Sequence, residues 1–345
     1  MNTERHTPPI ETKPHQRGQN AIRDTALRSQ LIDRRQRLKD AVSGSPDTES
    51  LVQLLQEVDT ALERMEYGTF GLCETCHDPI EHDRLLVNPL IRYCLDHLSE
   101  AEQRALERDI DLAARIQGGL LPTRDLHVDG WRVAYHYEPA GPVSGDYCDL
   151  IVPERKSDSF FFLVGDVTGK GVAASLLMAH LHAIFRSLTT TTLQVHELVE
   201  KANRVFCEGT LSTHFATLIC GLATNDGTVE ICNAGHCLPL LSQGGTIKSI
   251  PSTGLPLGLF CDSRYTSAHI ALRPGDSLFL YTDGITEARN EVSMQYGERR
   301  LEGFLRNHPA LSPDELIRAS LDELASFRSG SPKWDDMTLM VVRRS

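Results

Sequence analysis

Four aspartates along the chain stand where oxygen ligands for a metal are usually put. They are Asp146 in Ser-Gly-Asp-Tyr-Cys-Asp, Asp166 in Gly-Asp-Val-Thr-Gly-Lys-Gly, Asp283 in Tyr-Thr-Asp-Gly and Asp335 in Trp-Asp-Asp-Met-Thr. Each falls at the end of, or just after, a run that reads as a strand. A carboxylate is a hard ligand, suited to Mg²⁺ or Mn²⁺. Two such ions held side by side grip a phosphoryl oxygen and activate a water for attack. One aspartate at a strand end is ordinarily a turn or cap residue; the same placement four times over points to a shared centre. Asp149 follows Asp146 by three residues, and Asp336 adjoins Asp335, so either could join the set.

A second constellation has different chemistry. Cys73-Glu-Thr-Cys76 is followed, seventeen residues on, by Cys94-Leu-Asp-His97. Two short ligand pairs separated in this way suit tetrahedral zinc, each pair clasping one side of the ion. Four protein ligands leave no open position, so the expected site is structural. His77 and His82 are rivals to His97 for the fourth place. The other cysteines, 148, 207, 220, 232, 237 and 261, sit mostly in apolar stretches and read as small core residues.

The elements that must carry these residues fall into two styles. Residues 1–19 lack periodicity and read as a disordered tail. Residues 20–66 read as a helical hairpin, broken at Ser43-Gly-Ser-Pro-Asp47; Leu51, Leu54, Leu55, Val58 and Leu62 form one stripe of its second arm. Residues 67–97 carry the zinc motif. Residues 98–121 read as a charged linker helix with two apolar rows, Leu106/Ile110/Ala113 and Leu112/Ile116/Leu120, fit for a dimer seam. From residue 122 the pattern changes to short strands, at 131–137, 148–152, 160–164, 216–222, 228–232, 238–242, 277–281 and 337–342, with helices near 171–188, 194–209, 298–306 and 313–327. Strands around grouped helices predict an α+β domain with antiparallel sheets over 122–345.

The bulk numbers narrow the class. The formal charge of −12 argues against direct nucleic-acid binding through phosphate neutralisation. No apolar run reaches the roughly 20 residues of a membrane span, and no secretory signal is visible at the N-terminus. Nine cysteines, with only one tight spacing pattern, predict a reducing cytoplasmic location rather than a disulfide framework.

Two resemblances carry these readings further. Across 25–105, the order of helical hairpin, Tyr67-Gly-x-Phe-Gly-x-Cys-x-x-Cys76, Arg84-Leu, Asn88-Pro and Cys94-x-x-His97 resembles the DksA/TraR zinc-finger family, with His97 where many members have cysteine. The better-known members bind RNA polymerase through an acidic hairpin tip; here the turn holds Asp40 and Asp47. Residues 110–343 resemble the PPM metal-dependent serine/threonine phosphatases of the SpoIIE/RsbU branch. The matching stretches are Ala114-Arg-Ile-Gln-x-x-Leu-Leu-Pro122, Val143-Ser-Gly-Asp-Tyr147, Gly165-Asp-Val-Thr-Gly-Lys-Gly171, Phe215-Ala-Thr-Leu218, Asn233-Ala-Gly-His236, Gly254-Leu-Pro-Leu-Gly258, Pro274-Gly-Asp276, Tyr281-Thr-Asp-Gly-Ile285 and Asp335-Asp-Met-Thr338.

The resemblance implies an antiparallel β-sandwich flanked by helices. It implies that Asp166 bridges two Mn²⁺ or Mg²⁺ ions with help from the Val167 carbonyl, that Asp283 and Asp335 hold one ion, and that Asp146 supports the other, with Asp336 alongside. Water would then attack phosphorus in line, with no phosphoenzyme. The implied substrate is a phosphoserine or phosphothreonine on a regulatory protein, typically a STAS-type anti-sigma-factor antagonist. A homodimer is expected, with the zinc module as sensor or dimerisation element. The reading from a different class is a transcription regulator that uses the zinc module on RNA polymerase. Two features need a structural answer. Ser144 replaces the usual first glycine before Gly145-Asp146, and Lys170 and His236 are each either structural or in reach of the phosphate.

Overall fold

The computed structural model describes residues 14–44, 49–81, 84–85, 88–98, 100–123, 127–128, 130–153, 158–190, 194–210 and 213–345. Asp47 and His82 lie outside them. The chain divides into two compact units, Met1–Glu107 and Arg108–Ser345.

In the first unit, α1 (Pro14–Gly44) and α2 (Glu49–Glu66) are the helical arms. The disordered tail expected up to residue 19 is therefore cut short, because the helix already begins at Pro14, and proline is well tolerated in a first turn where its missing N–H has no partner to lose. The remainder of that tail, 1–13, is outside the described residues. The arms meet through Leu31 and Leu38 from α1 and Val58, Ala61 and Leu62 from α2. A separate small core of Ile80 and Leu85 packs around Cys73 and Cys94. Helix α3 (Glu100–Leu120) follows and stays helical through Gly118-Gly119.

The second unit is built from antiparallel sheets. Strands β1 (His127–Val128), β2 (Trp131–Glu138), β7 (Leu240–Gln243), β8 (Thr246–Ser249), β10 (Ser277–Tyr281) and β11 (Met337–Arg344) form one, in the order β1-β2-β11-β10-β7-β8. Strands β3 (Asp146–Ile151), β4 (Ser159–Val167), β5 (Ala216–Thr224), β6 (Thr228–Ala234) and β9 (Ala268–Ala271) form the other, in the order β3-β4-β5-β6-β9.

The side chains of β4 show why the sheets stack. Successive residues of a strand point to opposite faces. Phe160, Phe162 and Val164 meet Leu278, Leu280, Met340 and Val342 of the other sheet, and Phe161 and Leu163 meet helices α4 (Val172–Leu188) and α5 (Val195–Gly209). Both faces are buried, so β4 reads as an unbroken apolar run rather than an alternation. Behind the six-stranded sheet lie α7 (Glu298–Asn307) and α8 (Pro313–Arg328), held by Leu301, Leu305, Leu316 and Leu324. Helix α8 starts from a reciprocal cap: Ser312 accepts from the Glu315 N–H while Glu315 accepts from the Ser312 N–H, with Pro313 in the first turn. The layers run helix, sheet, sheet, helix, as the α+β reading predicts.

One expectation about cysteine is overturned. Cys207 on α5 and Cys261 are joined in a disulfide across 54 residues of sequence. One turn earlier on the helix, Asn203 holds the Phe260 and Cys261 carbonyls at 2.8 and 3.1 Å. That bond brings the exposed loop against the helix, a juxtaposition the spacing of the cysteines does not reveal. Cys148, Cys220 and Cys232 are buried core residues as expected.

Candidate active site and zinc cluster

The acids gather at one end of the sandwich, contributed by both sheets. On the five-stranded sheet, Asp146 at the start of β3 lies directly opposite Asp166 near the end of β4. Directly opposed residues share a face, here the face that Cys148, Leu150, Phe162 and Val164 turn to the other sheet. From the six-stranded sheet, β10 ends at Tyr281, and Asp283 opens the one-turn helix α6 (Asp283–Thr286). Asp335 and Asp336 immediately precede β11, whose Leu339 pairs with Tyr281.

Asp146 is buried, and one of its oxygens accepts from the Thr338 hydroxyl at 2.6 Å and the Thr282 hydroxyl at 2.9 Å. Burial, and then the neighbouring Asp166, push its carboxyl well above the usual range, against the pull of the two hydroxyls. Burial also lifts Asp166, with Asp283, Asp335 and Asp336 adding like charge, up to about 7; Lys170 opposes the rise. Asp283 is raised by burial first and Asp335 second. Carboxyls raised by burial and then by each other's charge have little counter-charge nearby, and oxygen donors of this kind fit hard divalent ions.

Gly145 explains part of the geometry. A Cβ there would stand 3.0 Å from the Val167 carbonyl oxygen and 3.4 Å from an Asp166 oxygen. A side chain there would press on both, so glycine suits the close approach of the Asp146 loop. Ser144 before it is accommodated without left-handed backbone, and its hydroxyl accepts from the Asp146 N–H at 3.0 Å. The departure from glycine thus adds a bond to the loop.

Several sequence candidates take other roles. The two oxygens of Asp336, expected alongside the ligands, accept from the backbone N–H groups of Ala140, at 2.7 Å, and Gly145, at 2.9 Å. It fastens the Asp146 loop. Asp149 points to the opposite face from Asp146, where Arg186 of α4 forks onto it at 2.9 and 2.6 Å. Lys170 places its ammonium 3.0 Å from Asp335 and donates to the Trp334 carbonyl at 2.6 Å. His236 is buried; its Nδ1 meets the Thr217 hydroxyl at 2.8 Å, and its N–H is held by the Asn233 side chain at 2.8 Å. Burial brings its imidazole down to about 4, so the ring is neutral near pH 7. Asp276 closes its turn by accepting from the Arg273 N–H at 2.9 Å.

In the first unit, one ligand atom from each of Cys73, Cys76, Cys94 and His97 lies within 4.8 Å of the others. Cys94 Sγ is 3.3 Å from His97 Nδ1 and 3.8 Å from Cys76 Sγ. His77, the rival in sequence, is exposed and outside this group. Burial disfavours the Cys73 thiolate, but backbone donors at Cys76, Cys94 and Thr75 outweigh it and bring the thiol down to about 6. Two sulfurs, a third sulfur and an imidazole in this space fit tetrahedral zinc.

A helix–sheet–sheet–helix sandwich with acids from both sheets at one end is the framework of the PPM, or PP2C, phosphatases. The chain belongs to the family of Stage II sporulation protein E (SpoIIE), which matches residues 156–345. Residues 68–96 match the prokaryotic dksA/traR C4-type zinc finger. The chain is 27% identical over 267 residues to Protein IcfG of Synechocystis sp., covering 69% of this chain and 42% of that protein. It is 27% identical over 246 residues to the phosphoserine phosphatase RsbU of Bacillus subtilis, covering 70% of this chain and 72% of that protein. The solved SiaA-PP2C domain of Pseudomonas aeruginosa shares the fold, with a TM-score of 0.63 at 20% identity over 72% of this chain and all of that one. Among the described residues, no helix is long and apolar enough to cross a membrane.

Proposed function

We propose that this chain is a metal-dependent serine/threonine protein phosphatase acting on a phosphorylated regulatory protein. The observation that carries the reading is the meeting of Asp146 and Asp166 from one sheet with Asp283 and Asp335 from the other. Asp166 takes like charge from Asp283 and Asp335 and in turn raises Asp146, which suits the bridging role. Asp283 and Asp335 would share one Mn²⁺ or Mg²⁺ ion with it; the Val167 carbonyl and Asp146 would serve the other. Bound there, the pair of ions supplies Lewis acidity toward the phosphoryl oxygens and an activated water. The protein's own part is to hold the acids at fixed positions, with Thr282 and Thr338 orienting Asp146 and opposing the rise that burial imposes on its carboxyl. Lys170, already against Asp335, lies within the same field and can steady an incoming phosphate.

The substrate class follows from the resemblance to the SpoIIE/RsbU branch and is supported by the likeness to RsbU: a phosphoserine or phosphothreonine on an anti-sigma-factor antagonist of STAS type. The Cys73/Cys76/Cys94/His97 cluster holds one structural zinc. Leu112 and Ile116 are exposed on one row of α3, which supports a homodimer formed along that helix. The test is hydrolysis of phosphorylated STAS protein with added Mn²⁺ or Mg²⁺, with thiol blockers as a control. Activity that survives chelation overturns the reading. An Asp283→Asn variant should retain substrate and capture it from lysate.

A further inference from the structure

We infer that Gln117 is a positioning residue for the Asp146 loop: its buried carboxamide fixes the backbone of Ser144 and, through Ser144, the place of the Asp146 carboxylate. The inference rests on the phosphatase reading of that site.

Gln117 is the buried residue of α3. Its Nε2 donates to the Ser144 carbonyl at 2.7 Å, and its Oε1 accepts from the Ser144 N–H at 2.9 Å. The carboxamide therefore pairs with one residue on both sides, as a neighbouring strand would. Three successive backbone N–H groups then end on three different side chains. Ser144 donates to Gln117, Gly145 donates to Asp336, and Asp146 donates to the Ser144 hydroxyl. The loop is held from two directions, and Gly145 is pressed close to Asp166 and the Val167 carbonyl.

The residue type is specific. Glutamate can accept from the Ser144 N–H but sets a second acceptor against the Ser144 carbonyl. Asparagine is one methylene shorter. A buried apolar side chain leaves both backbone groups unpaired, which costs more than the bonds themselves contribute. Other contacts hold the chain just after Gln117: the Tyr135 hydroxyl donates to the Pro122 carbonyl at 2.7 Å, and His182 reaches the Leu120 backbone. Loss of the carboxamide should therefore loosen the loop without freeing the helix end.

The experiment uses the full chain, as wild type, Gln117→Ala and Gln117→Glu. Three quantities are measured: amide hydrogen exchange at Ser144 and Asp146 in chelated protein, Mn²⁺ binding by electron paramagnetic resonance, and turnover of phosphoprotein at saturating Mn²⁺. Both variants should speed exchange at Ser144 and Asp146, weaken Mn²⁺ binding and lower turnover, each by about fivefold or more, as expected for loss of hydrogen bonds at a buried site. Gln117→Glu nearly matches wild type in shape and serves where Gln117→Ala folds poorly. Leu324→Ala, in the core beneath α8, shows what lost stability alone does to the same readouts. If exchange at Ser144 is unchanged, or if it rises while Mn²⁺ affinity and turnover stay within about twofold of wild type, Gln117 is a packing residue and the inference is overturned. Wild-type protein that binds Mn²⁺ but hydrolyses no phosphoprotein would count against the phosphatase reading instead; exchange and metal binding would still judge the clamp.

Discussion

The Thr338 hydroxyl donates to Asp146 at 2.6 Å, a bond that links the two sheets at the end where the acids meet. Thr338 is the second residue of β11 in the six-stranded sheet, whereas Asp146 begins β3 in the five-stranded sheet. Thr282 reinforces it twice, by donating to Asp146 and by accepting from the Thr338 N–H at 2.9 Å.

Thr338→Val keeps the shape and removes the donor. The buried Asp146 carboxylate then has one hydroxyl instead of two. We expect a loss of about 1–3 kcal/mol of stability, or about 2–10 °C in Tm, and a clearly higher Mn²⁺ requirement. Thermal melts with and without Mn²⁺ check both, and an unchanged Mn²⁺ requirement would detach Asp146 from metal binding.

The crowding of carboxylates makes a prediction about pH. In metal-free protein Asp166 titrates near 7 when folded, against the ordinary 3.8 of an unfolded aspartate. The folded state therefore holds the proton more tightly, and stability falls as pH rises from about 4 to about 7. Each pKa unit is worth about 1.4 kcal/mol at most, and solvent screening reduces it. Asp166→Asn removes that charge. Chelated Asp166→Asn should melt higher than chelated wild type near pH 7.5, with the gap closing toward pH 5. Saturating Mn²⁺ should reverse the order, because only wild type keeps the bridging ligand. Calorimetry at the two pH values decides it; a variant no more stable than wild type without metal would contradict the electrostatic account.

The zinc cluster should behave independently of the catalytic metals. Four ligands on so short a module make metal binding a large part of its folding free energy, about 10–16 kcal/mol in zinc-finger peptides. Elemental analysis should find one zinc per chain in wild type and none after joint Cys73→Ser and Cys76→Ser substitution. His97→Cys should keep the zinc, since sulfur and imidazole both serve tetrahedral sites. Loss of zinc from His97→Cys would show that the imidazole has a further task.

Gly118 and Gly119 test whether the end of α3 needs to bend. A Cβ at either position meets nothing within 4 Å, so alanine fits the structure as it stands. The double change to alanine should stabilise the helix by up to about 2 kcal/mol. If the junction flexes during control of the site, turnover and Mn²⁺ dependence will shift as Tm rises. A higher Tm with unchanged kinetics would make the glycines a passive joint.

How far the site was legible in sequence depends on which physical rule each residue obeys. Asp146, Asp166, Asp283 and Asp335 stand out because a strand-edge placement repeats four times, in the first three beside a glycine. Asp149 looked equivalent to Asp146, yet the two are three apart on one strand, and alternation puts an odd separation on opposite faces. That rule was available in the sequence, and Arg186 on the other face bears it out. Strands β8 and β9 give little sequence signal because neither buries a side chain fully, and β8, Thr-Ile-Lys-Ser, is almost wholly exposed. Gln117 lay within a legible motif but gave no sign of its task, since its partner is a backbone unit 27 residues away. The Cys207–Cys261 bond joins residues that no local periodicity relates.

The position of β11 has a consequence for how the protein is made. It is the last strand in chain order, yet it lies inside its sheet, between β2 and β10, and Asp335 and Thr338 arrive with it. A ribosome must therefore release nearly the whole domain before the final acid can join the other three. Without β11, β2 and β10 lack the strand that each pairs with, and the acidic cluster lacks Asp335.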